Sequence, residues 1–276
     1  MLRTRILTAI VLLAVLLPTL FLGSSAVFAG VVGVFAAAGM WEWARLAGWR
    51  GMQALAWAVI WLILAAITAG AGVAARAPGE VFLAAAVAWT VLLAGSLPRA
   101  ALPRFLAGRT VLTLLGMVIT LACWLGLVRA RNLGAGFLLS VLLIAWVADV
   151  AAYFGGRAFG GAKLAPRVSP GKTRAGVYVA SVAVVAYSVT CVAWPALHAT
   201  FAARIADAWG VIPALAVMLI LTGFTVMGDL FESLLKRHAG VKDSSGLLPG
   251  HGGVLDRIDA LLPLLPMAML FVTFTV

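Results

Sequence analysis

The stretch KDSSGLLPGHGGVLDRIDALLPLLPMAMLFVTFTV, Lys242–Val276, changes character half-way. Lys242–Asp259 holds three aspartates, a histidine and four glycines, whereas nothing from Ala260 onward is charged. A helix needs roughly 20 mainly apolar residues to cross the hydrocarbon core of a bilayer. The passage therefore reads as a polar loop running into a membrane span, Ile258–Val276.

The rest of the chain repeats that apolar character. It has 276 residues, of which 64% are hydrophobic and 11% charged, and its mean hydropathy is +1.13. Soluble domains are about half apolar and a quarter charged, so most of this chain has lipid as its solvent. Hydropathy windows place eight further spans before the last: Ile6–Leu22, Ala26–Ala47, Gln53–Ala71, Val81–Leu97, Thr110–Leu127, Gly136–Phe154, Val177–Ala196 and Val211–Leu230. The expected fold class is an all-α polytopic membrane protein with about nine transmembrane helices. Residues 1–135 would form an N-terminal set of helices, and 136–276 a catalytic region with two polar loops. The ten tryptophans, often near span ends, suit interfacial belts. The first thirty residues share features with a secretory signal, but the apolar run is long and flows into a second span, which favours its retention.

The net charge is +11. Basic loops against an anionic membrane surface account for it. No basic run is interleaved with aromatics as a single-strand binder requires, so nucleic acid is not an expected partner. Cys123 and Cys191 lie within apolar runs, form no CxxC, and read as small core residues. With the N-terminus in the cytoplasm and nine spans, all Lys and Arg fall on the cytoplasmic side except Arg76, Arg129, Arg131 and Arg204. That asymmetry obeys the positive-inside rule. The C-terminus then lies outside, and the polar loops Gly155–Gly176 and Lys236–Arg257 share one cytoplasmic face.

Asp149, Asp229, Glu232, Asp243, Asp256 and Asp259 all fall in or beside those loops, out of nine acidic residues in the chain. Charge at bilayer depth is costly and usually paired or functional. Pairing with Lys236 and Lys242 is an equally good account of Glu232 and Asp243. Asp256 and Asp259 are three apart, on one face of a helix start, with Asp229 at the end of the preceding span. Three carboxylates at a membrane boundary suit Mg²⁺, which also bridges to phosphates. In Pro249–Gly253 the glycines allow close backbone approach to a ligand, and His251 offers a donor. The upstream loop brings Arg157, Lys163, Lys172 and Arg174 with Ser169 and Thr173. Its SPGKT is not a nucleoside-triphosphatase loop, because the glycine required upstream is missing and Pro166 stands in that region. A lipid transporter would carry its charges at the bilayer midplane rather than at one boundary.

Ser233–Asp259, SLLKRHAGVKDSSGLLPGHGGVLDRID, resembles the signature of phosphatidate cytidylyltransferases: Ser-x-apolar-Lys-Arg, four residues, Lys-Asp, then Pro-x-His-Gly-Gly and Asp-Arg-apolar-Asp. The Asp149–Gly176 loop resembles that family's upstream loop. The family commonly continues its Ser-Pro-x-Lys-Thr with an aromatic and then an acidic or amide residue, where this chain has Arg174 and Ala175.

The resemblance implies that CTP and phosphatidic acid give CDP-diacylglycerol and pyrophosphate, with Mg²⁺ and room for a second cation. It implies Asp229, Asp256 and Asp259 as metal ligands. Lys236, Arg237, Asp243 and His251 would serve catalysis. Ser169, Lys172, Thr173, Ser233, Lys242, Gly252, Gly253 and Arg257 would bind substrate. It further implies membrane lipid as a partner, pairing of two copies, and a bacterial inner (cell) membrane with the site facing the cytoplasm.

Overall fold

The computed structural model describes residues 2–275; Val276, the end of the expected last span, lies outside them. The chain is an all-α polytopic membrane protein. Its helices are α1 (Leu2–Phe21), α2 (Ser25–Leu46), α3 (Gly51–Gly70), α4 (Val73–Arg76), α5 (Gly79–Ser96), α6 (Arg109–Asn132), α7 (Ala135–Phe159), α8 (Arg174–Ala193), α9 (Phe201–Trp209), α10 (Val211–His238), α11 (Leu255–Ile258) and α12 (Leu261–Thr273). Eight of these, α1, α2, α3, α5, α6, α7, α8 and α10, are long and apolar enough to cross a membrane among the described residues.

The expected ninth span behaves differently. It is split into α11 and α12 by a turn at Asp259–Ala260. Pro263 explains the break: it has no N–H to donate to Asp259 O, so the helical ladder stops there. Asp259 and Ala260 keep right-handed helical dihedrals through that turn, so α11 runs on into α12 and Leu255–Thr273 rises about 28 Å, near the thickness of a hydrocarbon core of about 30 Å. α12 is buried in the protein against α5, α6, α10 and α7, with Leu264, Leu265, Ala268 and Met269 fully covered. Its approach to α10 is close. A Cβ on Gly228 would stand 2.7 Å from Asp259 O and from Pro263 Cγ.

Packing inside a bilayer relies on van der Waals fit and interhelical hydrogen bonds, because lipid is as apolar as the core. Four of the ten tryptophans show this and depart from the belt expectation. Trp43, Trp61, Trp89 and Trp124 are buried among the helices. Trp43 Nε1 donates to Leu112 O at 2.8 Å and Trp124 Nε1 to Ala29 O at 3.0 Å, which satisfies the indole N–H where lipid could not. Arg129 and Arg131, which fit the charge rule poorly, also have a local cause. Arg129 Nη1 donates to Ala77 O at 2.6 Å and Arg131 Nη2 to Gly23 O at 3.2 Å. Both tie the end of α6 to neighbouring segments by satisfying their carbonyl groups.

One short hairpin interrupts the helices. β1 (Lys163–Ala165) and β2 (Ser169–Thr173) pair antiparallel. It leads straight into α8, where the Thr173 side chain caps the helix by accepting from Gly176 N at 3.1 Å.

Candidate active site

The upstream polar loop meets α10, while no residue of the second loop, Lys236–Arg257, lines the cavity described next. Lys172, on the hairpin, places Nζ 2.5 Å from Oδ2 of Asp229 on α10. Both line a cavity of about 580 Å³ together with Asp149, Arg157, Lys163 and Thr173. Gly156, Gly160, Gly161, Gly171 and Gly176 also line it, so much of its wall is bare backbone. Asp259 stands behind Asp229, within electrostatic reach of Asp229, Lys172 and Asp149. Its Oδ1 accepts from Ala260 N at 2.8 Å. The cavity thus combines carboxylates, three cations and flexible polar backbone at one end of an apolar bundle. That mixture can hold a polyanion together with its counter-cation.

Asp256 sits in a second, closed cluster. Lys236 Nζ donates to its Oδ1 at 2.6 Å. Its Oδ2 accepts from Ser244 N at 2.9 Å and Gly253 N at 2.8 Å. Burial pushes the Asp256 carboxyl up, but Lys236 and the N–H groups of Gly253 and Ser244 outweigh it and hold the group down at about 2. Lys236 also pairs with the buried Glu232, so one ammonium serves two carboxylates. This part of the neighbouring-charge reading holds; Asp243, by contrast, is exposed.

A residue absent from the sequence reading completes this cluster. Glu42 of α2 is fully buried. It accepts from Val254 N at 3.0 Å, Leu255 N at 2.6 Å and Ser245 Oγ at 2.5 Å. Ser244 Oγ lies 3.1 Å from Glu42 Oε2 and 2.9 Å from Asp256 Oδ2, so its single proton is shared between two carboxylates. Glycine is required where the loop passes them. Gly252 has φ +80°, and a Cβ on Gly253 would stand 2.1 Å from Ser244 Oγ and 2.4 Å from Glu42 Oε1. Glu42 was legible only as one isolated acid in an apolar run.

The remaining expected site residues divide. Ser233 Oγ lies 3.5 Å from Asp229 Oδ1, at the outer limit of a hydrogen bond. Ser169 is half-buried at the start of β2. Arg237 is exposed in the last turn of α10, and Lys242 is exposed beyond its end. His251 presents its carbonyl to Arg257, whose Nε and Nη2 donate at 3.1 and 2.8 Å. Arg174 and Ala175 open α8 next to the cap.

The expected metal ligands are not arranged as one closed centre. Among the described residues no three Asp, Glu, His or Cys side chains stand at metal-holding spacing. Both Asp256 oxygens already have protein donors. The donor set at the cavity does suit a hard cation: Asp229 and Asp149 offer carboxylate oxygens, Asp259 is within electrostatic reach, and the Lys172 ammonium supplies positive charge at Asp229.

Residues 3–275 match the model of the cytidylyltransferase family. Over 271 residues the chain is 39% identical to a phosphatidate cytidylyltransferase of Pseudomonas aeruginosa, covering 96% of this chain and 95% of the relative. It is 36% identical to one from Haemophilus influenzae, covering 99% of each. A Thermotoga maritima protein of the same name is 42% identical over 138 residues, half of this chain and 49% of the relative. By this match along its length, and by the signature that builds its two charged clusters, the chain belongs to the cytidylyltransferase family.

Proposed function

We propose that this protein transfers the cytidylyl group of CTP to phosphatidic acid, giving CDP-diacylglycerol and pyrophosphate in phospholipid biosynthesis. The observation that carries this reading is the meeting of Lys172 with Asp229, backed by Asp259 and Asp149, in a glycine-walled cavity at the end of an apolar bundle. The phosphate of the lipid attacks the α-phosphorus of CTP. A new P–O bond forms, the bond to the β-phosphate oxygen breaks, and pyrophosphate leaves. The nucleophile is already anionic, so no strong general base is needed. The difficulty is bringing two anions together.

Lys172, Lys163 and Arg157 would neutralise and orient the triphosphate. Asp229 and Asp259, with Asp149 beside them, would hold Mg²⁺, which when bound supplies charge neutralisation at the reacting phosphates and the leaving group. Asp256, Lys236 and Glu42 would keep the Ser244–Leu255 loop in the shape that sets Asp259 against Asp229. Gly252 and Gly253 permit that shape.

The skew of cations to one side supports a cytoplasmic site, where CTP is supplied, and a bacterial inner membrane as the location. Pairing of two copies is consistent with the apolar outer faces of the helices.

The test supplies detergent-purified protein with phosphatidic acid, Mg²⁺ and CTP labelled at the α-phosphate. Label is expected in the lipid phase, lost with EDTA and with Asp229→Asn. Transfer of γ-label instead would make the protein a lipid kinase and overturn the reading.

A further inference from the structure

A second cavity of about 240 Å³ lies between α1 and the bundle. Leu13, Leu16 and Leu17 of α1 form one wall; Val32 and Phe35 of α2 and Trp146 of α7 are among the residues opposite. The only charged residue lining it is Arg257, at the end formed by Leu248, Val254 and Ile258. An apolar slot with one exposed guanidinium at its mouth has the polarity of a single-tailed anion. Arg257 stands between Asp256 and Asp259 in the chain: the short helix that bears the slot's cation also bears Asp256, and Asp259 opens the turn that follows it.

The wall made by α1 is peripheral. Only 6% of its spanning window is buried, against 67% for α6. It is held at its ends. Thr8 Oγ1 shares its one proton between Pro249 O and Thr4 O, each at 2.9 Å, and Arg131 reaches Gly23 O. A Cβ on Gly250 would stand 3.0 Å from Arg5 Cγ, so the Arg5 stem rests on the same turn. Arg5 and Arg257 therefore flank the Pro249–His251 turn with two exposed cations, of which Arg257 lines the slot.

We infer that this slot takes one acyl chain of the phosphatidate substrate, with α1 as its outer wall and Arg257 drawing the head group toward Asp259. The occupant follows from two features together, apolar lining and a cationic mouth, with Arg257 two positions from Asp259 in the chain. The inference rests on the proposed transfer for the identity of the lipid, whereas the slot itself can be tested without turnover.

The experiment uses the full-length protein in phosphatidylcholine vesicles with phosphatidic acid carrying a mid-chain diazirine. After illumination, peptides are mapped. Label is expected on Leu12–Leu17 and on Val32–Phe35, and should be displaced by unlabelled phosphatidic acid but not by additional phosphatidylcholine. Label confined to other helices, or equal displacement by phosphatidylcholine, overturns the inference. In parallel, Leu16→Trp is expected to shift the kcat/KM ratio for dioctanoyl over dioleoyl phosphatidic acid about tenfold toward the short chain. An unchanged ratio in a folded, active variant also overturns it. If wild-type protein transfers no cytidylyl group yet labels α1 selectively, the proposed reaction fails and the slot stands.

Discussion

The two charged clusters sit a few residues apart and are built on opposite plans. Around Asp256, Lys236 and Glu42, carboxylate oxygens meet ammonium, hydroxyl and backbone donors of the protein itself. Around Asp229, Lys172 and Asp149, charged groups open on a cavity of about 580 Å³. Buried polar groups must be satisfied or they cost stability. A closed cluster therefore fixes backbone shape, while an open one keeps binding capacity for something that enters. The sequence signature supplies Lys236, Ser244 and Asp256 to the first and only Asp259 beside the second, so its residues share a motif without sharing a task.

Four changes would break or sharpen this contrast. The largest effect is expected at the open cluster. Asp229→Asn should lower kcat/KM for cytidylyl transfer by about 10²–10³-fold, the range for removing one preorganised electrostatic group, with little change in thermal unfolding in detergent. If unfolding shifted as much as activity, the two clusters would not be functionally distinct. Next, Glu42→Ala should destabilise the fold by about 3 kcal/mol, since it strands the N–H groups of Val254 and Leu255 and two serine hydroxyls. A thermal-shift series in detergent would show it, with activity falling in step with folded protein.

A smaller effect concerns acid. The Asp256 carboxyl is held at about 2 when folded, below its usual 3.8. A depressed value stabilises the fold above the unfolded value, and that stability is lost as pH falls through 3.8 toward 2. The contribution is about 2 kcal/mol. Wild-type protein should thus lose stability over that window, and Asp256→Asn should flatten the loss. A flat wild-type profile would contradict the closed cluster. The smallest effect is expected at the rim. Lys163→Ala removes an exposed cation and should raise KM for CTP only a few-fold, at a cost of about 1 kcal/mol or less, with kcat held. A large fall in kcat would put Lys163 in contact with the reacting phosphates.

Much of this was legible in the residues. Length and spacing of apolar runs located the eight long helices, with α6, α7 and α10 running five to eight residues past their expected ends, because a lipid-exposed backbone has no other way to satisfy its polar groups. The cluster of aspartates in two loops marked the charged end, because charge at bilayer depth is too costly to scatter. For the last span, hydropathy could not tell lipid from protein as the apolar surroundings. Pro263 interrupts its hydrogen-bond ladder, and α12 packs inside the bundle against α5, α6 and α10. Trp43, Trp61, Trp89 and Trp124 lie inside it for the same reason.

The sequence by itself determined the membrane setting, the two loops and the residue types able to hold phosphates and a hard cation. Those follow from composition and local spacing. Only the tertiary structure decided which carboxylates stay open and which are consumed. Glu42 reaches Ser244 across 202 positions of chain, and Lys172 reaches Asp229 from another loop. Such pairings depend on how helices pack, and no local pattern encodes the packing.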